Sequence, residues 1–158
     1  MKIVEFNTDF VTDPSFIKLT HEHIRLQEDK INFPEPEDFN YNWSDTNFVA
    51  SDYAYKGILK GYVLVDDDSL VQGYCLFVPR RNMLTNLRLL YVFALIVSEK
   101  YRNSYWAGKL ISNTIKYAKS IDINNIEWSI NINSPGEELF YKHPNKFKRI
   151  SQSFLQTI

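Results

Sequence analysis

A long uncharged segment that leads through a polar turn into an amphipathic helix is the feature that most restricts the fold of this chain. Residues 89–97 (LLYVFALIV) are all apolar or aromatic and do not alternate with polar residues, a pattern typical of a buried β-strand. Polar residues follow, and apolar side chains then recur at helical spacing from Ala107 to Ile121. We therefore expect a helix over residues 104–121, whose first N–H groups have no partner inside the helix and can bind an anion.

The rest of the chain divides into short elements of both types. Asp13-Pro14 predicts the start of a helix that ends near Lys30, with Asp13 as the N-cap. Residues 31–43 contain two prolines and several aromatic residues and predict an exposed loop, and residues 44–60 favour a helix that Gly61 would end. Further predicted elements are strands at residues 2–6, 62–65, 70–79, 125–132 and 147–157, turns at 66–69 and 80–86, and a short helix at 136–143.

The segment LIVSEKYRNSYWAGKL, residues 95–110, resembles motif A of the GNAT superfamily, the acyl-coenzyme A N-acyltransferases. In that motif, a Leu-x-Val strand end precedes Arg or Gln, and a Gly-x-Gly or Gly-x-Ala sequence then opens a helix. Tyr105 stands where the first glycine belongs, and Glu99 where proline is frequent. The residues that match in register are Leu95, Val97, Arg102 and Ala107.

A second segment, residues 133–147 (NSPGEELFYKHPNKF), is similar to a late helix of the same family, in which a Phe-Tyr pair precedes Gly-Phe. Phe140, Tyr141 and Phe147 match, while Asn145 lies near the glycine position and the spacing is one residue longer. The two motifs occur in the family's order, joined by a predicted strand. Their combination is more specific than either motif alone.

The resemblance implies one α/β (α+β) domain over residues 1–158: a GNAT-like mixed, mostly antiparallel sheet of about six strands flanked by helices. It implies that the sheet opens between the strand that ends at Val97 and the strand that ends at Ile132. The family has two strands after its last helix, and this chain has room for one. A second copy in a homodimer could supply the missing strand.

Acetyl-coenzyme A is the cofactor that the resemblance implies. Its pantetheine arm would enter the gap in the sheet, and backbone N–H groups at the helix start would hold its pyrophosphate, with added charge from Arg102 and Lys109. The residues alone also allow a strand-to-helix turn without a ligand, and Asn133 is either a pantetheine contact or an N-cap. The implied cofactor-binding residues are Leu95, Ile96, Val97, Arg102, Asn103, Ser104, Tyr105, Trp106, Ala107, Gly108, Lys109 and Asn133.

Tyr141 is the catalytic residue that the resemblance implies. In the family a neutral amine attacks the thioester directly, and a tyrosine hydroxyl protonates the departing thiolate. The alternative is that Phe140 and Tyr141 are ordinary aromatic residues on an amphipathic helix. Many relatives carry a carboxylate in the strand before the arginine motif, whereas residues 89–97 contain none. A water chain or a loop carboxylate, such as Glu35, Glu37 or Asp38, would then serve as the base.

Composition excludes several other classes of function. The net charge of −1 provides no field that would recruit nucleic acid or an anionic membrane. Cys75 lies in an apolar strand and is expected to be a small buried hydrophobe rather than a nucleophile. His21 and His23 point to different faces of a helix, so no metal site is expected. Without an apolar signal core in residues 1–10, a cytoplasmic location is expected.

These features predict an N-acetyltransferase that transfers an acetyl group from acetyl-coenzyme A to a primary amine on a small molecule or a protein. Acidic and aromatic residues share the loop 31–45 and favour a cationic acceptor, unless this loop is simply solvated. The rival hypothesis is a non-catalytic binding or assembly module with the same fold. Its basis is Tyr105 in the glycine position, the strand without an acid, and the short C-terminal region.

Overall fold

A mixed β-sheet forms the centre of the computed structural model, which describes residues 1–31, 52–82, 85–102, 104–129 and 141, and only the backbone for residues 23–31. Within these residues the sheet has five strands in the order β1-β2-β3-β4-β5. β1 to β4 are antiparallel neighbours, and β5 runs parallel to β4. The strands are β1 (Lys2–Glu5), β2 (Lys60–Val65), β3 (Val71–Arg81), β4 (Arg88–Val97) and β5 (Ile126–Trp128).

Two long helices, α1 (Pro14–Ile31) and α2 (Trp106–Ser120), pack against opposite faces of this sheet. Leu19 of α1 belongs to one hydrophobic cluster and Leu110 of α2 to another. Successive residues of β3 alternate between the clusters: Tyr74 and Leu76 contribute to the first, Cys75 and Phe77 to the second. Because both faces of β3 are covered in its middle, residues 73–79 (GYCLFVP) contain no charged side chain and do not alternate with polar ones. The predicted fold class, a mostly antiparallel sheet flanked by helices, is confirmed.

Helix α1 begins where the sequence predicts. The Asp13 Oδ1 atom accepts hydrogen bonds from the backbone N–H groups of Ser15 (2.8 Å) and Phe16 (2.9 Å), as an N-cap does. The Ser15 hydroxyl oxygen in turn accepts a bond from the Val71 N–H at 2.9 Å. The cap therefore also ties the start of α1 to β3.

The prediction that Gly61 ends a helix is wrong. Residues 52–55 are helical, and the chain turns at Gly57, whose φ of +66° lies in the left-handed region that glycine adopts readily. Gly61 lies inside β2, and a Cβ atom there would come within 2.5 Å of the Cys75 carbonyl oxygen. The glycine at 61 is thus required by the close approach of two strands.

The turn predicted at residues 66–69 is confirmed, and it joins the antiparallel strands β2 and β3 in a hairpin. The Asp66 Oδ1 atom accepts backbone N–H bonds from Asp68 (3.1 Å) and Leu70 (2.9 Å), and Ser69 adopts a φ of 63°. The predicted turn over residues 80–86 is displaced, because β3 continues to Arg81 and β4 begins at Arg88.

The buried row of α2 consists of Leu110, Thr114 and Ala118. The expected apolar face is therefore present, but the polar residue in its centre was not foreseen. Thr114 is fully buried, and its hydroxyl lies 3.0 Å from the Leu110 carbonyl oxygen and 3.2 Å from the Cys75 sulfur. A hydroxyl that bonds back to its own helix can be buried without an unpaired polar group.

Residue 31, the first of the predicted loop, is the last residue of α1. The rest of that loop, the last predicted strand and most of the short helix before it lie outside the described residues. No helix in the described part of the chain combines the length and the apolar character needed to cross a membrane.

Candidate functional site

Strand β4 contains a bulge at Phe93. On β3, Leu76 pairs with Ala94 while the next residue, Phe77, pairs with Val92, so Phe93 is an extra residue in β4. A bulge bends its strand and increases the local twist, and bulges often lie beside active sites. Phe93 is 39% exposed, unlike the neighbouring buried Val92.

The described pairing between β4 and β5 ends immediately before this bulge. The last residue pair is Val92 with Trp128, and the Ser129 N–H donates to the Val92 carbonyl at 2.8 Å. β4 then continues to Val97, whereas the chain after Ser129 lies outside the described residues until Tyr141. The predicted opening of the sheet as far as Ile132 therefore remains a prediction.

Beyond the bulge, the backbone of β4 presents alternate residues to its two sides. The Ser98 N–H donates to the Gln72 carbonyl of β3 at 2.8 Å. Because alternate residues of a strand direct their N–H and C=O groups to opposite sides, Leu95 and Val97 direct theirs toward the β5 side. Ile96 directs its backbone groups toward β3, and its side chain is buried.

The turn between β4 and α2 is held by short-range hydrogen bonds. A 3₁₀ helix spans Glu99–Tyr101, and the Arg102 Nε atom donates to the Val97 carbonyl at 3.2 Å. The Ser104 hydroxyl donates to the Tyr101 carbonyl at 2.6 Å and accepts from the Trp106 N–H at 3.4 Å. Asn103 lies outside the described residues.

The unpaired N–H groups at the start of α2 have no side-chain cap from Tyr105 and no acidic side chain in the first turn. The first intrahelical bond runs from the Lys109 N–H to the Tyr105 carbonyl at 3.0 Å, so the N–H groups of Trp106, Ala107 and Gly108 have no partner within the helix. Tyr105 makes no side-chain cap, and the first turn contains no acidic residue. This positive end of the helix dipole is suited to an anion.

Tyr105 and Gly108 both face outward at this helix start. The Tyr105 backbone has a φ of −69°, so this position does not need the positive φ that favours glycine. Its side chain is 62% exposed and stacks on Trp106 with 4.6 Å between ring centroids. At Gly108, no described atom lies within 4 Å of where a Cβ would be, so packing against described atoms does not require glycine there. Ala107 instead packs against the second core cluster.

A cavity of about 420 Å³ lies along the exposed side of α2, beginning at its N-terminal end. The sequence motif includes Tyr105, Gly108 and Lys109 of this lining. The polar residues that follow at helical spacing, Ser112, Asn113 and Lys116, were a signal for the remainder. The described lining of the cavity consists of Tyr105, Gly108, Lys109, Ser112, Asn113 and Lys116.

Glu127 is the carboxylate that the fold brings beside β4, which the sequence reasoning missed. It pairs with Tyr91 across the parallel strands, and its Oε2 atom lies 2.8 Å from Arg80 Nη2. The Arg80 guanidinium also lies 3.9 Å from the centroid of the Tyr91 ring. The ion pair occupies this carboxylate, so the structure gives it a structural role.

Of the remaining predicted site residues, the structure describes only Tyr141. Tyr141 is in a helical conformation with its side chain 58% exposed. Asn133 and the loop acids Glu35, Glu37 and Asp38 lie outside the described residues. Among the residues that the structure describes, no group of three His, Cys, Asp or Glu side chains could hold a metal ion.

Cys75 is fully buried, as the sequence predicts. Burial raises the pKa of its thiol to about 12, although a hydrogen bond from Thr114 acts in the opposite direction. A thiol in this state is not a nucleophile at neutral pH.

The sequence matches no protein-family model and no curated protein. The structure, by contrast, is similar to solved acetyltransferases over nearly the whole chain. Ribosomal-protein-alanine N-acetyltransferase from Brucella melitensis biovar Abortus 2308 superposes with a TM-score of 0.69 at 14% identity, and the match covers 100% of both chains. A putative acetyl transferase from Pyrococcus furiosus superposes with a TM-score of 0.67 at 12% identity, covering 99% of this chain and 100% of that one.

An aminoglycoside acetyltransferase from an uncultured soil metagenomic sample, solved in complex with trehalose, gives a TM-score of 0.67 at 16% identity. That match covers 99% of this chain and 95% of the other. The chain therefore has the fold of the GNAT superfamily, which confirms the fold that the two sequence motifs predict. At this level of identity, the similarity establishes the fold alone.

Proposed function

We propose that this protein is a GNAT-type N-acetyltransferase that transfers the acetyl group of acetyl-coenzyme A to a primary amine. The observation that carries the proposal is the junction of β4 with α2. There, a bulged strand directs the backbone groups of Leu95 and Val97 toward β5, and a helix without an acid in its first turn follows. The fold shared with solved acetyltransferases supports the same assignment.

The backbone of β4 fits the pantetheine arm, which contains two amide groups. An extended ligand can add to a strand through main-chain hydrogen bonds, and Leu95 and Val97 provide such groups on the β5 side. The Val97 carbonyl already accepts a bond from Arg102. A carbonyl oxygen has a second lone pair for another donor.

The start of α2 fits the pyrophosphate. The N–H groups of Ala107 and Gly108, which have no partner within the helix, and the helix dipole favour an anion. Arg102 and Lys109 add positive charge nearby. Glycine destabilises a helix by roughly 0.5–1 kcal/mol relative to alanine, yet no described atom would contact a Cβ at Gly108. Close approach of a phosphate group accounts for a glycine at this position.

Acetyl-coenzyme A, when bound, supplies an acetyl group activated as a thioester. The chain's own residues would orient this group and transfer a proton. In this proposal, the amine nitrogen would bond to the acetyl carbon as the carbon–sulfur bond breaks, and the hydroxyl of Tyr141 would give its proton to the departing sulfur. The proton that the amine loses would pass to a water chain or to a loop carboxylate such as Glu35, Glu37 or Asp38. Asn133 would contact the pantetheine arm.

The acceptor is proposed to be cationic before it reacts, because the loop 31–45 contains Glu35, Glu37, Asp38 and Asp45 among aromatic residues. The charge preference is tested by measuring turnover with a panel of amines, some of which also carry a carboxylate. Preference for an anionic acceptor would contradict it.

Cofactor binding is tested by calorimetry on the wild-type protein and two variants of equal charge change. Gly108→Asp places a carboxylate in the first turn of α2. The negative charge stabilises the helix by about 0.3–1 kcal/mol through its interaction with the helix dipole, but it repels a pyrophosphate. We expect it to fold normally and to lose at least roughly tenfold in affinity for acetyl-coenzyme A. Asn124→Asp, at an exposed residue outside α2, should bind like the wild type. A wild-type protein that does not bind acetyl-coenzyme A at millimolar concentration would refute the proposal.

A second candidate function is a module that binds the cofactor without transferring the acetyl group. It is favoured by the ion pair of Glu127 with Arg80 and by the absence of an acid in β4. A thiol reagent that detects free coenzyme A distinguishes the two candidates, since Cys75 is the single cysteine and is buried. Binding without turnover on any amine would favour the second candidate.

A further inference from the structure

The cavity beside α2 extends well past the helix start. Gly108 and Lys116 both line it and are eight residues apart, which corresponds to about 12 Å along the helix axis. The proposed pyrophosphate contacts account only for its N-terminal end. The remainder, formed by Ser112, Asn113 and Lys116, has no part in that assignment.

Among the described residues that line this cavity, the charged side chains are all positive. Helix α2 (WAGKLISNTIKYAKS) contains three lysines and no carboxylate. Lys109 and Lys116 line the cavity, whereas Lys119 does not. No ion pair joins Lys116 to a carboxylate among the described residues. The cavity is therefore complementary to a ligand with more than one anionic group.

An aromatic side chain lies at the end of the cavity nearest the helix start. The Tyr105 ring is 62% exposed, stacks on Trp106, and has the Lys109 Nζ atom 5.8 Å from its centroid. An exposed ring that its neighbour holds in place can stack with a nucleobase. Lysine ammonium groups next to such a ring are suited to the phosphates of a nucleotide.

We propose that this cavity binds the nucleotide end of coenzyme A, with Lys116, Ser112 and Asn113 receiving the ribose 3′-phosphate and Tyr105 stacking on the adenine. The proposal rests on the proposed function for the identity of the cofactor. It adds that the 3′-phosphate and the base contribute to affinity through the outer side of α2. Lys116 is a residue that the sequence motifs did not single out.

The 3′-phosphate contact is tested by calorimetry with coenzyme A and with 3′-dephospho-coenzyme A. The wild-type protein should bind coenzyme A about 10- to 100-fold more tightly, as expected for hydrogen bonds between charged groups. Lys116→Gln should reduce this ratio to near one. Lys119→Gln removes the same charge from an exposed residue of the same helix that does not line the cavity, and should keep the wild-type ratio.

The aromatic contact is tested with Tyr105→Phe and Tyr105→Leu. Phenylalanine keeps the ring and should bind like the wild type, whereas leucine should lower affinity for both cofactors by about 5- to 100-fold, as loss of base stacking does. The 3′-phosphate ratio should be unchanged in both variants.

Equal affinity of the wild type for the two cofactors would overturn the 3′-phosphate assignment and leave the proposed function intact. The same holds if Lys119→Gln lowers the ratio as much as Lys116→Gln. A wild-type protein that binds neither cofactor overturns both proposals.

Discussion

Polar side chains that are buried in the described part of this protein each have a hydrogen-bond partner. The buried Tyr74 hydroxyl lies 2.7 Å from the Thr20 hydroxyl, and Thr114 bonds to the preceding turn of α2. Burial raises the pKa of the Tyr74 phenol far above its usual range, although its bond with Thr20 acts in the opposite direction. Among the described residues, no buried side-chain nitrogen or oxygen lacks a partner. These pairs let the core contain hydroxyl groups without the free-energy cost of an unmade hydrogen bond.

The raised pKa of the Cys75 thiol predicts how the free energy of unfolding changes at alkaline pH. Its folded pKa of about 12 exceeds the ordinary value of 9.0, so the folded state holds the proton more tightly than the unfolded state does. The thiol's contribution to the free energy of unfolding is therefore complete below the ordinary pKa and is lost as pH rises toward 12.

Chemical denaturation of the wild type and Cys75→Ala across this alkaline range measures the effect. The free energy of unfolding should fall less steeply with pH in the variant, whatever its value at neutral pH. Parallel curves for the two proteins would show that the thiol does not titrate differently on folding.

Tyr141→Phe tests the proposed general acid. The change keeps the aromatic ring of a side chain that is 58% exposed, so the free energy of unfolding and the dissociation constant of acetyl-coenzyme A should hardly change. Turnover should fall by about a hundred- to ten-thousand-fold, the usual contribution of a general acid. Turnover at the parent rate would make Tyr141 a packing residue only.

Among the elements, α1 is the one whose start depends most clearly on a single side chain. Asp13 accepts two backbone N–H bonds, and the Ser15 hydroxyl links the same cap to β3. Burial opposes ionisation of the Asp13 carboxyl, but the hydrogen bonds from Ser15 and Phe16 outweigh it and lower the pKa below 3.8. The ionised cap therefore stabilises α1 at neutral pH.

Two substitutions separate the cap from its charge. Asp13→Ala should lower the free energy of unfolding by about 1 kcal/mol, measured by urea denaturation at neutral pH. Asn is a comparable cap, so Asp13→Asn should retain most of the stability.

The acid dependence should differ as well. Because the folded pKa is lowered, the contribution of Asp13 is present above 3.8 and is lost as pH falls through the folded value. Asp13→Asn should lack this component of acid unfolding. An unchanged acid transition in Asp13→Asn would contradict the assignment.

At the scale of the whole molecule, the proposed cofactor site joins the sheet to one of its two helical layers. α1 and α2 belong to different hydrophobic clusters on opposite faces, and β4 leads directly into α2. A ligand that contacts both β4 and the start of α2 would stabilise the native state by about 2.7 kcal/mol at a hundred times its dissociation constant.

Hydrogen exchange under native conditions locates this contact. The Leu95 and Val97 amides, whose N–H groups face the β5 side, exchange with solvent through local openings of the native state. Bound acetyl-coenzyme A should slow this exchange. The Ser98 amide, already bonded to the Gln72 carbonyl, is an internal control and should change less. Equal slowing at all three amides, measured by NMR, would indicate general stabilisation and argue against pantetheine along β4.

The features predicted correctly from the sequence are those that neighbouring residues determine. The Asp13 cap, the Asp66 turn and the helical period of α2 depend on contacts within a few residues. The resemblance of residues 95–110 to a GNAT motif likewise involves one continuous segment, and the fold that this resemblance implies is confirmed.

Features that the sequence did not predict depend on residues distant along the chain. Gly61 is needed because β3 lies against it, and the Phe93 bulge depends on the register between β3 and β4. The Arg80–Glu127 ion pair joins residues 47 positions apart. Local sequence thus determined the elements and their caps, because these depend on short-range hydrogen bonds and periodicity. Only the tertiary structure decided strand register and the exposed side of α2, because both depend on which distant side chains pack together.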